Sequence, residues 1–340
     1  MVVAEFQGTA RDWDDFVRAR HGWTHFHLYG WKRIVEDVFG HQCRYLVASD
    51  AQNGLRGVLP LVRVKSRVFG HFLVSMPFLN YGGPLGTPSA IKDLGDYAAD
   101  LARRSSASLL ELRCRTESKL NLPVSHRKVT VLLDLPPGDP DQLWKGFKAK
   151  LRSQIRRPQK EGVEVRFGLD RVADFFHVFS HHMRDLGTPT LSKRFFESIA
   201  NNFPEDTWFG CAYFRDKPVA AGCGFHWGEE FEMTWAASLV EYNRTAPNML
   251  LYWSFMERAI EHGLTTFNFG RCTPGSGTHQ FKRQWGTRDE QLWWYQHQTG
   301  AAASTPSPDD ARYSWGPRIW KRLPLPIATM VGPRIVRYIP

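Results

Sequence analysis

Residues 267–286, FNFGRCTPGSGTHQFKRQWG, hold side chains able to manage an anion: Gly270-Arg271 at a strand end, a glycine-rich loop, then Phe281-Lys282 and Trp285-Gly286. Arginine at the carboxyl end of a strand, with a lysine beyond a loop, suits stabilisation of a developing oxyanion. Just upstream, residues 242–263, YNRTAPNMLLYWSFMERAIEHG, predict a helix over 248–262 that is apolar almost all round, fed by a short polar loop. The free N–H groups at such an N-terminus, with Arg244 and Asn248 beside them, favour phosphate. A third segment, Lys145 to Lys160, holds seven basic residues and no acid. At 100° per residue a helix over 142–160 sets Leu143, Trp144, Phe147, Leu151 and Ile155 on one side and Lys145, Lys148, Arg152 and Arg156 on the other. That unrelieved stripe, with arginines able to grip phosphate bidentately, calls for a polyanionic or diphosphate-bearing substrate. Pro158 disfavours helical geometry at Arg157, so Lys160 is expected to leave the stripe.

Other patterns carry less. His25-Phe26-His27 and His181-His182 lack the further ligands of a metal site, and there is no HExxH, so no metal is expected. GxSxG, Walker A and GxGxxG motifs are missing from the sequence. Asn80-Tyr81-Gly82-Gly83-Pro84 is either a tight turn or a loop lining a pocket. For a general base the candidates are Tyr242, His226 and Glu232. The five cysteines, Cys43, Cys114, Cys211, Cys223 and Cys272, are far apart and form no CxxC pair. They read as small core residues of a protein from a reducing compartment.

The net charge of +10 is local rather than general. Residues 145–160 and 311–340 hold thirteen basic residues and no acid, leaving 31 basic against 34 acidic residues elsewhere. A uniformly basic nucleic-acid coat is excluded. With 42% apolar and 23% charged residues, the chain is globular rather than disordered or fibrous. Nothing approaches the ~20 apolar residues of a bilayer span. The first residues lack a basic n-region and an apolar h-region, so a cytoplasmic protein is expected.

The elements that must position these groups alternate between strand and helix signals, which predicts a mixed α/β (α+β) fold. Residues 44–50 and 55–64 flank an Asn-Gly turn; a helix over 89–105 and a strand over 109–113 follow. The same order returns at 208–214, 219–227 and 230–238, then a helix over 248–262 and a strand over 265–269. Corresponding elements lie roughly 155–165 residues apart, an internal repeat of architecture. A boundary at the proline-rich turn 135–140 gives domains at 1–137 and 138–298, a low-complexity linker at 299–312 and a basic, aromatic tail at 313–340.

Taken in order, residues 148–165, 181–192, 242–263, 267–271 and 281–286 resemble the FemAB-like transferases, in particular the subgroup associated with PEP-CTERM/exosortase and exopolysaccharide systems. The ending, WKRLPLPIATMVGPRIVRYIP, resembles that subgroup's tail. The resemblance implies two tandem GNAT-like acyltransferase domains with mixed sheets flanked by helices. It implies an amine-bearing envelope precursor as acceptor and an activated acyl group, often from aminoacyl-tRNA, as donor. The family's Phe-Lys pair falls on Phe281 and Lys282, with the lysine at the oxyanion. The long coiled-coil insertion of tRNA-dependent members is absent, which leaves both acyl-CoA and aminoacyl-tRNA open as donor.

The resulting expectation is an N-acyltransferase acting on an amine of a cell-envelope or exopolysaccharide precursor. Lys282, Phe281 and Tyr242 serve catalysis, and Arg244, Asn248, Arg271 and Gly270 bind the donor. Lys148, Arg152, Arg156, Asn80 and Tyr81 bind the acceptor. A tRNA-dependent transferase of the peptidoglycan-bridge type is one alternative; a non-catalytic RNA-binding or scaffold protein is another. In the tail, basic and Trp/Tyr residues flank a short apolar run, the mixture favoured at an anionic inner-membrane surface. The rival expectation packs the tail's apolar residues back onto the domains.

Overall fold

The computed structural model describes residues 1–66, 68–298 and 316–339, so the 299–312 linker lies outside the described residues. In chain order the first elements are β1 (Val2–Glu5), α1 (Ala10–Arg18), α2 (Gly30–Ile34), β2 (Gln42–Ser49), β3 (Leu55–Ser66), β4 (Gly70–Ser75), β5 (Leu85–Gly86), α3 (Pro88–Arg104), β6 (Leu109–Cys114) and β7 (Val124–Ser125). Next come β8 (Val129–Asp134), α4 (Pro140–Gly146), α5 (Ala149–Lys160), β9 (Val163–Phe167), α6 (Val172–Leu186), α7 (Lys193–Asn202), β10 (Thr207–Phe214), β11 (Lys217–Trp227) and β12 (Glu230–Ser238). The chain continues through α8 (Pro247–Glu261), β13 (Thr266–Cys272), α9 (Gly277–Arg283), β14 (Arg288–Gln291), β15 (Trp293–Gln298), α10 (Gly316–Trp320) and α11 (Leu325–Val336).

The chain divides into two compact units, each built on one mixed sheet. The first sheet runs β1-β2-β3-β4-β6-β15-β7, with β5 on β3; the second runs β14-β8-β13-β12-β11-β10-β9. The repeat read from the sequence is therefore real. Its boundaries differ, because the units part at Val129/Thr130, ahead of the proline-rich turn. β8 is a strand of the second sheet, and β15, placed by the sequence in the second domain, returns to pair with β6 in the first. Hydrogen-bonding demand at the sheet edges, which local patterning does not encode, sets those assignments.

In the first unit, α3 covers the sheet. Thr87 caps its N-terminus and Pro88 opens it, while Ala90, Leu94, Ala98 and Ala102 pack against Leu46, Leu59 and Leu110. β4 and β6 are parallel but pair only at Phe72↔Leu109, Leu73↔Leu110 and Val74↔Glu111. Past that point the chain fills its own gap. Arg113 N–H donates to Ser75 Oγ at 2.7 Å, and the N–H groups of Gly82 and Gly83 both donate to Arg113 O at 3.0 Å. The Arg113 side chain donates to Glu111 at 2.7 Å and to Leu79 O at 3.2 Å, and lies over the Trp294 ring. Asn80 and Tyr81 are buried within this plug, so as placed they do not offer themselves to an acceptor, contrary to the sequence expectation. Met76 and Phe78 take positive φ to make the turn.

The second unit has the matching parallel pair, β12 and β13, joined only at Glu230↔Thr266, Phe231↔Phe267 and Glu232↔Asn268. A bulge leaves Thr234 unmatched against β11 and bends β12 away from β13 just past the last pair. All five cysteines are buried thiols outside any disulfide, as expected.

The basic segment departs from its predicted form. α4 ends at Gly146 and α5 starts at Ala149, because Phe147 and Lys148 are extended, with ψ of 144° and 146°. The break lets Phe147 enter an aromatic cluster with Trp253 and Trp285. Arg152 then caps the end of α4 by donating to Lys145 O and Phe147 O, and Arg156 stacks on Trp144. Pro158 is accommodated in the last turn, and the helix reaches Lys160.

The tail forms two helices with two faces. Trp320, Ala328 and Gly332 are buried, and a Cβ on Gly332 would stand 2.9 Å from Thr190 N, so α11 lies close against residues around Thr190. The other face exposes Ile319 (55%), Ile327 (43%) and Met330 (58%) beside Arg318, Lys321, Arg322 and Arg334. Among the described residues no helix is long and apolar enough to cross a membrane.

The Glu111–Arg113 pair, both side chains 2% exposed, generates the first prediction. Arg113→Ala leaves the Glu111 carboxylate buried without its cation and is expected to cost about 3–5 kcal/mol. Urea unfolding measures the loss; a change below about 1 kcal/mol would contradict the assigned role.

Candidate active site

Where β12 and β13 diverge, their facing backbone groups need other partners. Asn268 supplies several of them. Its Oδ1 accepts from Thr130 Oγ1 at 2.6 Å and from Gly270 N–H at 2.8 Å, and its Nδ2 donates to Glu230 at 2.7 Å and Glu232 at 3.1 Å. Gly270 turns here with φ of 71°, a conformation that favours glycine. The carbonyls of Gly270 and Arg271 accept from Lys282 Nζ at 2.7 and 3.0 Å. These two bonds use two of the ammonium's three protons. Lys282 is 4% exposed, on short helix α9 capped by Ser276 Oγ at His279 N–H. Burial lowers its pKa to about 8, with Cys272 and Glu232 pulling upward.

A cavity of about 310 Å³ opens in the same unit. Its walls include Ala236–Ser238 at the end of β12, Asn248 and Tyr252 of α8, Thr278 and Phe281 of α9, and His182 of α6. Phe281 packs on Tyr252 at 5.1 Å, so the aromatic half of the Phe-Lys pair forms wall while Lys282 reaches the strand end. His182 Nδ1–H donates to Ser238 O at 3.1 Å, which leaves Nε2 as the acceptor nitrogen of the neutral ring. Burial lowers its pKa and favours that neutral form.

The remaining candidates separate. Asn248 lines the cavity, and Gly270 and Arg271 hold Lys282. Arg244 is exposed in the loop before α8, where Pro247 opens the helix after a left-handed Ala246. Tyr242 packs edge-on to Phe214 in the same loop. Of the three candidate bases, His226 pairs in register with Phe231 at the closed end of the strands, and its ring bonds Glu205 O. Glu232 is buried at the point of divergence, accepting from Asn268 and from Thr234 Oγ1. Arg152 and Arg156 point away from this cavity, into a groove along α5 with Arg157 and Lys160.

Sequence reasoning missed Asn268 and Thr130, and it weighed His182 only as a metal ligand and set it aside. A polar residue inside the apolar run FNFG was the available signal for Asn268. His182 is brought in by tertiary packing alone.

No curated protein matches the chain. Among solved structures, FemX superposes with a TM-score of 0.63 at 16% identity, covering 87% of this chain and 97% of that one. The C-terminal domain of a putative lysylphosphatidylglycerol synthetase from Agrobacterium fabrum gives 0.58 at 14% identity, over 86% and 92%. A tandem GNAT protein from the clavulanic acid biosynthesis pathway gives 0.54 at 12% identity, over 89% and 99%. At such identities the likeness is one of fold. Residues 145–283 match the family described as acetyltransferase (GNAT) domain, a span that contains the divergent strands, the cavity and Lys282. The chain is thus a tandem GNAT-fold protein whose second unit carries a GNAT-type acyltransferase domain.

Proposed function

We propose that the protein is an N-acyltransferase moving an acyl or aminoacyl group from an activated donor to an amine of a cell-envelope or exopolysaccharide precursor. The observation that carries this reading is Lys282, a buried ammonium fixed at the mouth of diverging strands with one proton unspent. An amine nitrogen attacks the donor's carbonyl carbon, a C–N bond forms, and the carbonyl oxygen becomes an oxyanion that Lys282 stabilises. His182 Nε2 takes the proton the amine sheds. The C–S bond of a thioester, or the C–O bond of an ester, then breaks, and the leaving group receives that proton. Phe281 and Tyr252 exclude water, and Asn248, Arg244 and the α8 N-terminus bind donor phosphates.

An acyl-CoA is the co-substrate that the GNAT domain implies. Aminoacyl-tRNA is the second reading, supported by the fold likeness to a domain named for lysylphosphatidylglycerol synthesis. The exosortase-associated subgroup, resting on the sequence resemblance alone, belongs to the proposal, and so does a cytoplasmic site.

Lys282→Ala is expected to lower kcat by about 10²-fold or more, the scale of one lost oxyanion donor. In the intact enzyme kcat should fall as pH rises through about 8, because the ammonium loses its proton there. The stability effect has the opposite sign. A lysine depressed below its unfolded value binds fewer protons when folded, so its contribution improves from about pH 8 towards the unfolded pKa of about 10.4. Turnover of acyl-CoA and aminoacyl-tRNA panels with amino-sugar acceptors, followed by mass spectrometry, tests both; a descending limb that survives in Lys282→Ala would remove the lysine from the mechanism.

For the tail, both sequence expectations are part of the same reading. One face of α10 and α11 packs inward, and the other supplies cations and apolar groups for an anionic bilayer. Full-length protein is expected to co-sediment with vesicles rich in phosphatidylglycerol, and Ile327→Asp with Met330→Asp to release it. Equal sedimentation of both proteins would refute the anchor.

A further inference from the structure

The glycine-rich loop between β13 and α9 is tied down by a single ring. Thr273 O accepts from Ser276 N–H at 3.1 Å, with Pro274 and a left-handed Gly275 (φ 79°) between them, the pattern of a type II turn. The Gly275 N–H takes no part in that turn bond and donates instead to His279 Nδ1 at 3.1 Å. A backbone N–H can only donate, so Nδ1 is the acceptor and the ring's one proton sits on Nε2. Nε2 stands 2.9 Å from the Asp289 carboxylate of β14. Both ring nitrogens are thereby committed, and the His279 side chain is only 14% exposed.

Hydrogen bonds, not packing, hold this loop. Pro274, Gly275 and Gly277 are exposed, and a Cβ on either glycine would meet nothing within 4 Å. Gln280 supplies one further tie, at 3.4 Å to Gly275 O. The loop's far end belongs to the site, since Gly277 and Thr278 line the cavity beside Asn248, Tyr252 and Phe281. His279 follows them directly and lies one turn ahead of Lys282 on α9.

We propose that His279 is a positioning residue for the cavity rim: its neutral ring, oriented by Asp289, locks the loop over 273–277 and so fixes where Gly277 and Thr278 stand. The lock is independent of the acyl-transfer reading; only its consequence for donor binding rests on that reading. An imidazolium has no acceptor nitrogen, so protonation breaks the Gly275 bond while the charged ring keeps Asp289. The charged groups around the ring are Asp289 on β14 and Arg283 on α9. Arg283 stands 3.7 Å from the same carboxylate and donates to Thr287 O. The rim is therefore closed with a neutral ring and released with a charged one.

Amide hydrogen exchange at Gly275, followed by NMR beside the titration of the His279 ring, tests the lock without any turnover. The Gly275 protection factor is expected to fall about fivefold or more as the ring gains its proton, the scale of one lost hydrogen bond. The Gly277 and Thr278 amide signals should shift with the same midpoint. His279→Ala should show the low protection at every pH. His279→Asn, whose Oδ1 can accept where Nδ1 did, should keep the protection and lose its pH dependence, which separates the lock from general damage to α9. Protection that ignores the ring's titration or survives in His279→Ala, or rim signals that stay still, would overturn the proposal. With an acyl-CoA that the wild-type chain turns over, His279→Ala should raise KM more than it lowers kcat, and His279→Asn should restore KM. An unmoved KM would overturn the role in donor binding; absence of any turnover would count against acyl transfer, while the exchange result would still decide the lock.

Discussion

Two parallel strands that part after three residues create a problem that the rest of each unit must solve. Their facing N–H and C=O groups lose one another while still inside the protein, where an unmet backbone group costs about as much as a lost hydrogen bond. The two units solve it differently. In the first, residues 76–83 fold into the gap, Ser75, Gly82 and Gly83 serve the backbone of Arg113, and the Glu111–Arg113 pair fills what remains. In the second, side chains do the serving, Asn268 for Gly270 N–H and Lys282 for two carbonyls. Because a side chain takes less room than a loop, that gap is free to be a cleft.

This difference accounts for the proposed centre lying in the second unit despite the shared architecture. At the register position two past the last parallel pair, the first sheet carries Arg113 and the second carries Gly270. The arginine plugs; the glycine turns left-handed and exposes its carbonyl to a lysine. The mixed α/β topology thus gives both units the same divergence, and the residues at it differ.

Much of this was legible in the sequence. Most strands and helices of the repeat could be placed, because alternating apolar runs and an Asn-Gly turn act locally, but β4, the counterpart of β12, was not read. Lys282, Gly270 and Arg271 could be read as one local segment, since a strand end, a loop and a short helix hold them within a dozen residues of chain, and hydrogen bonds join them in the fold. What was illegible depends on distance. The return of β15 to the first sheet, the burial of Asn80 and Tyr81, and the arrival of His182 beside Ser238 are set by packing between segments far apart in sequence. The basic helix shows the same limit at short range. Its amphipathic period is sound from Leu151 to Ile155, but Phe147 gains more by entering the Trp253 and Trp285 cluster than by continuing a helix.

Lys282 carries the cost of the arrangement. A surface lysine would keep its proton well above neutrality, but one buried at the strand divergence keeps it only to about pH 8. Two carbonyl bonds and the nearby Glu232 carboxylate offset part of that penalty and hold the ammonium in one place. In the proposed reaction the remaining cost would make the group useful, because a poorly solvated cation gains most when a negative charge develops beside it. An oxyanion formed there would relieve the lysine's desolvation at the same moment that the lysine stabilised it. On that reading stability and reactivity are coupled through one ammonium, and the bulge at Thr234, the turn at Gly270 and the amide of Asn268 shape the strand ends that hold it.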